Sequence, residues 1–207
     1  MPFTVATWNI NSVRLRAPIV CALLEQHQPD VLCLQEIKCR LDQFPAKTFR
    51  ALGYEHIAIH GQTAYHGVAT LSRHPISAST QMFFAGKDDA RHIQTHHETS
   101  AGTVAIDNFY IPAGGDIPDR DANEKFDHKL RFLDEFETWS TRVAGQSGRI
   151  AVGDFNIAPL ADDVWSHKQL LKVVSHTPVE TDALNRAQAA GNWHDVVRDA
   201  HPVPEKL

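Results

Sequence analysis

Four short stretches end an apolar run on residues that a plain core would not choose. They read Trp8-Asn9-Ile10-Asn11, Leu34-Gln35-Glu36-Ile37-Lys38, Asn108-Phe109-Tyr110-Ile111-Pro112 and Val152-Gly153-Asp154-Phe155-Asn156. The run before each has strand character, and open α/β sheets place their sites just beyond strand ends. Strand side chains alternate faces. The pattern therefore predicts Asp154 and Asn156 on one side with Phe155 toward the core, and Asn9 and Asn11 in the same relation across Ile10. Carboxylate and amide oxygens gathered in this way suit a hard divalent cation. Mg2+ takes oxygen ligands, commonly one or two carboxylates with water and substrate phosphate completing the shell. Glu36 is the best direct ligand among them. Each residue taken alone also suits a turn, where Asn and Asp bond their own backbone, and Glu36 with Lys38 would make an ordinary solvated rim. The residue types leave both readings open.

The elements that must carry these ends alternate. Phe3–Asn9 reads as a strand and Ala17–Gln28 as an amphipathic helix through Ile19, Val20, Leu23 and Leu24. Val31–Glu36 reads as a buried strand, followed by a short helix over Lys47–Leu52 that stops at Gly53. Tyr54–Ile59, Gly67–Leu71 and Thr103–Tyr110 follow as strands bounded by Gly and Pro. Phe126–Val143 has helical spacing through Leu130, Leu133 and Phe136, Arg149–Asn156 reads as a strand, and Asp182–Ala190 as a helix. Alternating strands and helices indicate an α/β domain, and adjacent strands without helices between them imply antiparallel pairing within the sheet. No internal repeat or linker divides the chain, so residues 1–207 read as one domain.

At 207 residues and 43% hydrophobic content the chain can bury a sizeable core. Charged residues at 22% and 11 each of Gly and Pro exclude a collagenous or disordered chain. No apolar run approaches the roughly 20 residues of a membrane span, and the N-terminus lacks the basic leader and apolar core of a secretory signal. Cys21, Cys33 and Cys39 form no C-x-x-C pair, which points to a reducing, cytoplasmic setting and offers no zinc spacing. The net charge of -5 does not advertise nucleic acid. Residues 1–50 nonetheless hold six Lys/Arg against four acids, so a local basic face is compatible with it. Gly145-Gln146-Ser147-Gly148 is not a nucleophile elbow, and Gly114-Gly115 is not a dinucleotide loop.

The motifs carry a resemblance. Pro29-Asp30-Val31-Leu32-Cys33-Leu34-Gln35-Glu36-Ile37-Lys38 resembles the P-D-hydrophobic-x-hydrophobic-Q-E-x-K signature of the exonuclease III family of apurinic/apyrimidinic endonucleases. Trp8-Asn9-Ile10-Asn11 with Arg14 and Arg16 is similar to that family's opening N-I-N-x-x-R-x-R. Tyr65-His66-Gly67-Val68-Ala69, Asn108-Phe109-Tyr110-Ile111-Pro112 and Gly153-Asp154-Phe155-Asn156-Ile157-Ala158-Pro159 fall in the family's order. The resemblance implies a four-layered α/β sandwich, two mixed β-sheets packed face to face and flanked by helices. It implies a Mg2+-dependent (or Mn2+-dependent) DNA repair phosphodiesterase that trims 3′ ends of double-stranded DNA and incises at abasic sites, acting as a monomer without a membrane. Carried over residue by residue, it assigns Asn9, Glu36, Asp154 and Asn156 to the metal side. Tyr110 becomes the tyrosine near the attacked phosphate, Asp154 the handler of a proton, and Asn156 the residue orienting the phosphate. Arg14, Arg16, Lys38 and Arg40 are the candidate DNA-backbone contacts.

The sequence departs from the family toward its end. Family members continue with an aromatic segment, an N-x-G-x-R-hydrophobic-D stretch and an S-D-H motif, whereas Asp195-Val196-Val197-Arg198 here resembles the part just before them. The expectation is a domain incomplete at the C-terminus and a chain inactive as written. Asp127-His128, the sole Asp-His dipeptide, lies in the helical stretch Phe126–Val143 and reads as a surface pair. Two alternatives stand beside the repair nuclease: a related phosphodiesterase or phosphatase acting on lipid head groups, inositol phosphates or RNA tails, and a non-catalytic DNA-binding fragment.

Overall fold

The computed structural model describes residues 2–206. Two compact units divide them: one takes the chain up to Tyr110 together with Ser147–Asp154, the other Ile111–Gln146 together with the residues from Phe155 on.

The first unit holds two four-stranded sheets. In one, β1 (Val5–Asn9) runs parallel to β2 (Val31–Gln35), and β2 pairs antiparallel with β4 (Val68–Ser72), which pairs antiparallel with β3 (His56–His60). In the other, β5 (Ile76–Thr80), β6 (His92–Thr99) and β7 (Gly102–Tyr110) pair antiparallel in turn, and β8 (Arg149–Asp154) joins β7 parallel. Each sheet is mixed, with a parallel pair along one side. Strands β2 and β4 are buried at every position, which explains why β2 reads as an apolar run, Val31 to Leu34, instead of an alternating one.

The two sheets face each other. Val31 and Cys33 from β2 pack with Ile106 from β7, and Ala58 and Val68 pack with Ile93 and Tyr110. Two amides cross the same interface: Gln35 Nε2 donates to Asn108 Oδ1 at 2.7 Å, and Asn108 Nδ2 donates to the carbonyls of Leu34 (3.2 Å) and Ala69 (3.1 Å). On the outer side of the first sheet, Leu32 and Leu34 pack with Val20 and Leu24 of α1 (Val13–His27) and with Phe49 of α2 (Ala46–Arg50). Helix α1 starts four residues before the predicted Ala17 and carries Pro18 inside it. Strands β5 and β6 escaped the sequence reading. Both are poor in apolar residues, β5 because four of its five residues are exposed, β6 because buried His and Thr side chains take the inward positions.

The second unit is helical: α3 (Glu124–Val143), α4 (His167–Leu170), α5 (Pro178–Gly191) and α6 (Val196–Ala200). Asn123 caps α3 by accepting from Lys125 N, and a Thr177/Glu180 capping box with Pro178 in the first turn starts α5. Trp139 stacks between Phe136 (5.3 Å) and Trp193 (5.6 Å). Asp127 pairs with Arg120 at 2.6 Å, while His128 is buried, so the expected surface pair is corrected: the helix turns its histidine inward. Among the described residues no helix is long and apolar enough to cross a membrane, and all three cysteines are free thiols.

Candidate active site

The two parallel pairs put four strand ends on one rim of the first unit. Asn9 ends β1 opposite Gln35, and Asp154 ends β8 opposite Tyr110 at the end of β7. Glu36 follows β2 directly, at φ +52. A left-handed residue there turns the chain out of the sheet, and Ile37 N and Lys38 N are then taken up by Gly67 O and His66 O. Gly153 precedes Asp154 at φ +141, where β8 runs so close to β7 that a side chain would collide with the Phe109 carbonyl. That glycine lets Asp154 reach the rim.

The side chains converge. Asn9 Nδ2 donates to Glu36 Oε1 at 3.0 Å and to Asp154 Oδ2 at 2.7 Å, so one amide bridges both carboxylates. Asn9 Oδ1 accepts from Asn11 N at 3.1 Å, which fixes that orientation. Tyr110 donates its phenol to Glu36 Oε1 at 2.8 Å, and Lys38 Nζ lies 2.7 Å from Glu36 Oε2 and 2.5 Å from Asn11 Oδ1. Burial works against a charge on Glu36, but the hydrogen bonds from Asn9, Lys38 and Tyr110 and the Lys38 charge outweigh it and hold the carboxyl below its ordinary range. Burial, the hydrogen bond to Glu36 and that residue's charge all push the Tyr110 phenol well above its usual value, so it is a neutral donor.

Sequence reasoning passed over the residues behind Tyr110. Arg91, almost fully buried, stacks its guanidinium 4.8 Å from the Tyr110 ring centroid and donates to Tyr110 O at 3.1 Å. It also pairs with Asp89 and donates to the His66 ring at 3.0 Å. No spacing pattern marks Arg91; its proximity follows from β6 and β7 being neighbours, and β6 was one of the two strands not foreseen.

Asn156 is placed differently from the expectation. Strand β8 stops at Asp154, and Asn156 has φ +51, so strand alternation does not carry past Asp154. Asn11 departs in the same way at φ +46, with β1 ending at Asn9. Asn156 belongs to the second unit, where its Nδ2 donates to Ile111 O at 2.9 Å and its carbonyl accepts from Lys129 Nζ at 2.7 Å. Of the candidate backbone contacts, Lys38 is part of the site. Arg16 donates to Asn11 O, Arg40 is held by Asp42 at 2.9 Å, and Arg14 is exposed.

Among the described residues no group of three or more His, Cys, Asp or Glu forms a metal cage. What the rim offers is two carboxylates drawn together by an amide, a hard oxygen set of the kind Mg2+ takes. The residues fit such a cation.

This geometry stands in a known context. Residues 6–201 match the model of the endonuclease/exonuclease/phosphatase family, and the chain belongs to that family. Over 161 residues it is 34% identical to exodeoxyribonuclease III of Haemophilus influenzae, a match covering 76% of this chain and 59% of that protein. The chain thus spans about three fifths of the length of that curated relative. Among solved structures it is similar to an AP endonuclease from Archaeoglobus fulgidus (29% identity, TM-score 0.87, 98% of this chain and 76% of that one). It is also similar to a Neisseria 3′ phosphatase bound to a product DNA hairpin (27% identity, TM-score 0.87, 97% of this chain and 76% of that one). The α/β fold with two mixed sheets expected from the motifs is the fold these structures share.

Proposed function

We propose that the protein is a Mg2+-dependent DNA repair phosphodiesterase of the exodeoxyribonuclease III type. It would incise at abasic sites and remove nucleotides or blocking groups from 3′ ends of double-stranded DNA, as a monomer in a reducing, cytoplasmic compartment. The observation that carries this reading is the junction of Glu36 and Asp154 through Asn9, with Tyr110 on Glu36. Support comes from relatives whose names describe an exodeoxyribonuclease, an AP endonuclease and a 3′ phosphatase bound to DNA.

Glu36 and Asp154 would hold the cation, with Asn9 bonded to both carboxylates; Asn156 is the further metal-side residue that the family resemblance implies. When bound, the cation supplies positive charge against the phosphate oxygens of the transition state. The chain's own residues supply the rest. Asp154 is the group to take or return a proton as water attacks phosphorus. Tyr110, kept neutral, is a donor for a phosphate oxygen, and Asn156 orients that phosphate. Lys38 offsets the charge of Glu36, and the Asn9 amide donates to both carboxylates.

The test is cleavage of three duplexes by the protein with Mg2+ and with chelator: one with an abasic site, one with a recessed 3′ hydroxyl, one with a 3′ phosphate. Metal-dependent cleavage of any of them by a version extended with the family's C-terminal segment, abolished when that version carries Glu36→Ala, is the expected result. Activity confined to inositol phosphates or RNA ends, or binding of DNA without cleavage at any metal concentration, would overturn it. The 3′-phosphate substrate addresses the reading favoured by the Neisseria neighbour, in which removal of a terminal phosphate is the main reaction.

A further inference from the structure

Lys129 and Glu180 form an ion pair in the second unit, Nζ to Oε1 at 2.5 Å, with both side chains fully shielded from solvent. Two charges withdrawn from water are unfavourable unless their remaining hydrogen-bonding capacity is met, and apolar residues of similar volume commonly replace such pairs with no loss of stability. The capping box accounts for Glu180 as an acceptor at the start of α5 but leaves the lysine unexplained.

The other partners explain it. Lys129 Nζ donates to Asn156 O at 2.7 Å and to Ala113 O at 3.3 Å. With Glu180 these make three acceptors for the three N–H bonds of an ammonium, a match the planar fork of an arginine does not offer. Glu180 accepts from Ser175 N at 2.9 Å and from Thr177 Oγ1 at 2.6 Å. Ser175 O accepts from Ala158 N at 2.8 Å, and the His176 ring meets Ala158 O at 2.7 Å. The segment 156–158 is therefore clamped at both ends, by the ammonium at Asn156 and by the 175–176 turn at Ala158. Asn156 itself is left-handed, a conformation that persists where the surroundings hold it, and its amide nitrogen is anchored on Ile111 O.

We infer that Lys129 and Glu180 are positioning residues, a buried charge pair that sets the backbone and carboxamide orientation of Asn156 for phosphodiester cleavage. The role of Asn156 rests on the function proposed above; the clamp is a property of the second unit alone. Lys129→Met combined with Glu180→Leu removes both charges without stranding either. The variant is compared with wild type by thermal melting, by hydrogen exchange of the Asn156 side-chain amide (its resonances identified through Asn156→Asp), and by cleavage kinetics on an abasic-site duplex. The expected result is a folded protein whose Asn156 amide exchanges at least about tenfold faster, and whose kcat falls by about 10- to 100-fold with KM within about twofold, as for a misplaced reacting group. If the double variant does not fold, Lys129→Arg keeps the charge pair but cannot reproduce the three-acceptor geometry of the ammonium, and gives smaller changes in the same direction. Unchanged exchange at Asn156 would overturn the inference, as would faster exchange with kcat within twofold of wild type. A version extended with the family's C-terminal segment that cleaves no DNA would end the nuclease reading, and the amide exchange alone would then decide whether the pair positions Asn156.

Discussion

Tyr110 and Glu36, 74 residues apart, meet where the two sheets end, the phenol donating to the carboxylate at 2.8 Å. The contact depends on how the sheets are stacked. Gln35, one residue before Glu36, and Asn108, two before Tyr110, bond each other across the interface at 2.7 Å. A slip of one residue, about 3.3 Å along a strand, would break both bonds. Tyr110→Phe keeps the ring against Arg91 and removes only the hydroxyl. Loss of about 100- to 1,000-fold in kcat is expected, the range for one preorganised donor to a transition-state oxygen. Because the phenol is held well above its usual pKa, the alkaline side of the wild-type pH–rate profile below pH 10 is expected to persist in Tyr110→Phe. A phenylalanine variant with wild-type turnover would remove Tyr110 from the reaction.

Glu36 and Asp154 share Asn9 but should fail differently. Glu36→Ala removes a carboxylate held in its charged form by Asn9, Lys38 and Tyr110, so the Mg2+ concentration for half-maximal rate should rise steeply and turnover collapse. Asp154→Asn keeps the shape and removes basicity. A loss of about 100- to 10,000-fold is expected for a general acid/base, while DNA affinity holds or improves as carboxylate–phosphate repulsion is relieved. Mg2+ titrations of rate and of DNA binding on both variants separate the roles. Equal metal dependence in Glu36→Ala and wild type would contradict the first, and an unchanged rate in Asp154→Asn the second.

How far the residues announced this arrangement varies with what held them in place. The Gln35-Glu36-Ile37-Lys38 and Gly153-Asp154 stretches were legible because a buried strand followed by an outward turn leaves a sharp apolar-to-polar edge. Asn11 and Asn156 were assigned to the correct stretches but to the wrong local geometry, since both strands end two residues earlier and both asparagines are left-handed. Strand β6 was invisible because most of its buried positions are His and Thr whose polar groups find partners inside the fold, such as His92 with Asp107 at 3.0 Å. With β6 went Arg91. The start of α5 was legible in principle: Thr177-Pro178-Val179-Glu180 is a capping-box pattern, and the predicted helix began only at Asp182.

One of the buried histidines of β6 makes stability depend on pH. His97 is fully buried, with Nε2 2.9 Å from Thr95 Oγ1 and Nδ1 3.3 Å from Ser72 Oγ. Burial, then the nearby His74, His96 and His56, push its pKa down to about 4. An unfolded chain binds a proton there near pH 6.5, the folded one only near pH 4, so stability is fully present above about pH 6.5 and falls as the pH drops toward 4. The contribution is on the order of 3 kcal/mol. His97→Gln removes the titration and keeps hydrogen-bonding capacity. Urea unfolding from pH 4 to 7 should show a shallower rise in stability for the variant than for wild type. Parallel curves would mean that His97 does not titrate between the two states.

Binding to the DNA backbone should distribute unevenly over the four candidate basic residues. Each phosphate contact contributes about 0.9 to the slope of log affinity against log salt, because it releases condensed counterions. A guanidinium already paired with a carboxylate contributes less, since the protein has neutralised it. Arg40 is in that position, with Nε and Nη2 on the two oxygens of Asp42 at 3.1 and 2.9 Å. Lys38 is tied to Glu36 and Asn11, so its loss should disturb the site as well as the slope. Arg16 is turned onto the Asn11 carbonyl, which keeps its charge but fixes its direction, and Arg14 is exposed on the first turn of α1. Arg14→Ala and Arg16→Ala are therefore expected to lower the salt slope by about one each. Arg40→Ala should change it by much less, and Asp42→Ala should strengthen binding by releasing Arg40. Fluorescence anisotropy of a labelled duplex between about 50 and 200 mM salt measures all four. A slope that falls for Arg40→Ala as much as for Arg14→Ala would show that DNA displaces Asp42, and a slope indifferent to Arg14 and Arg16 would move the DNA path away from α1.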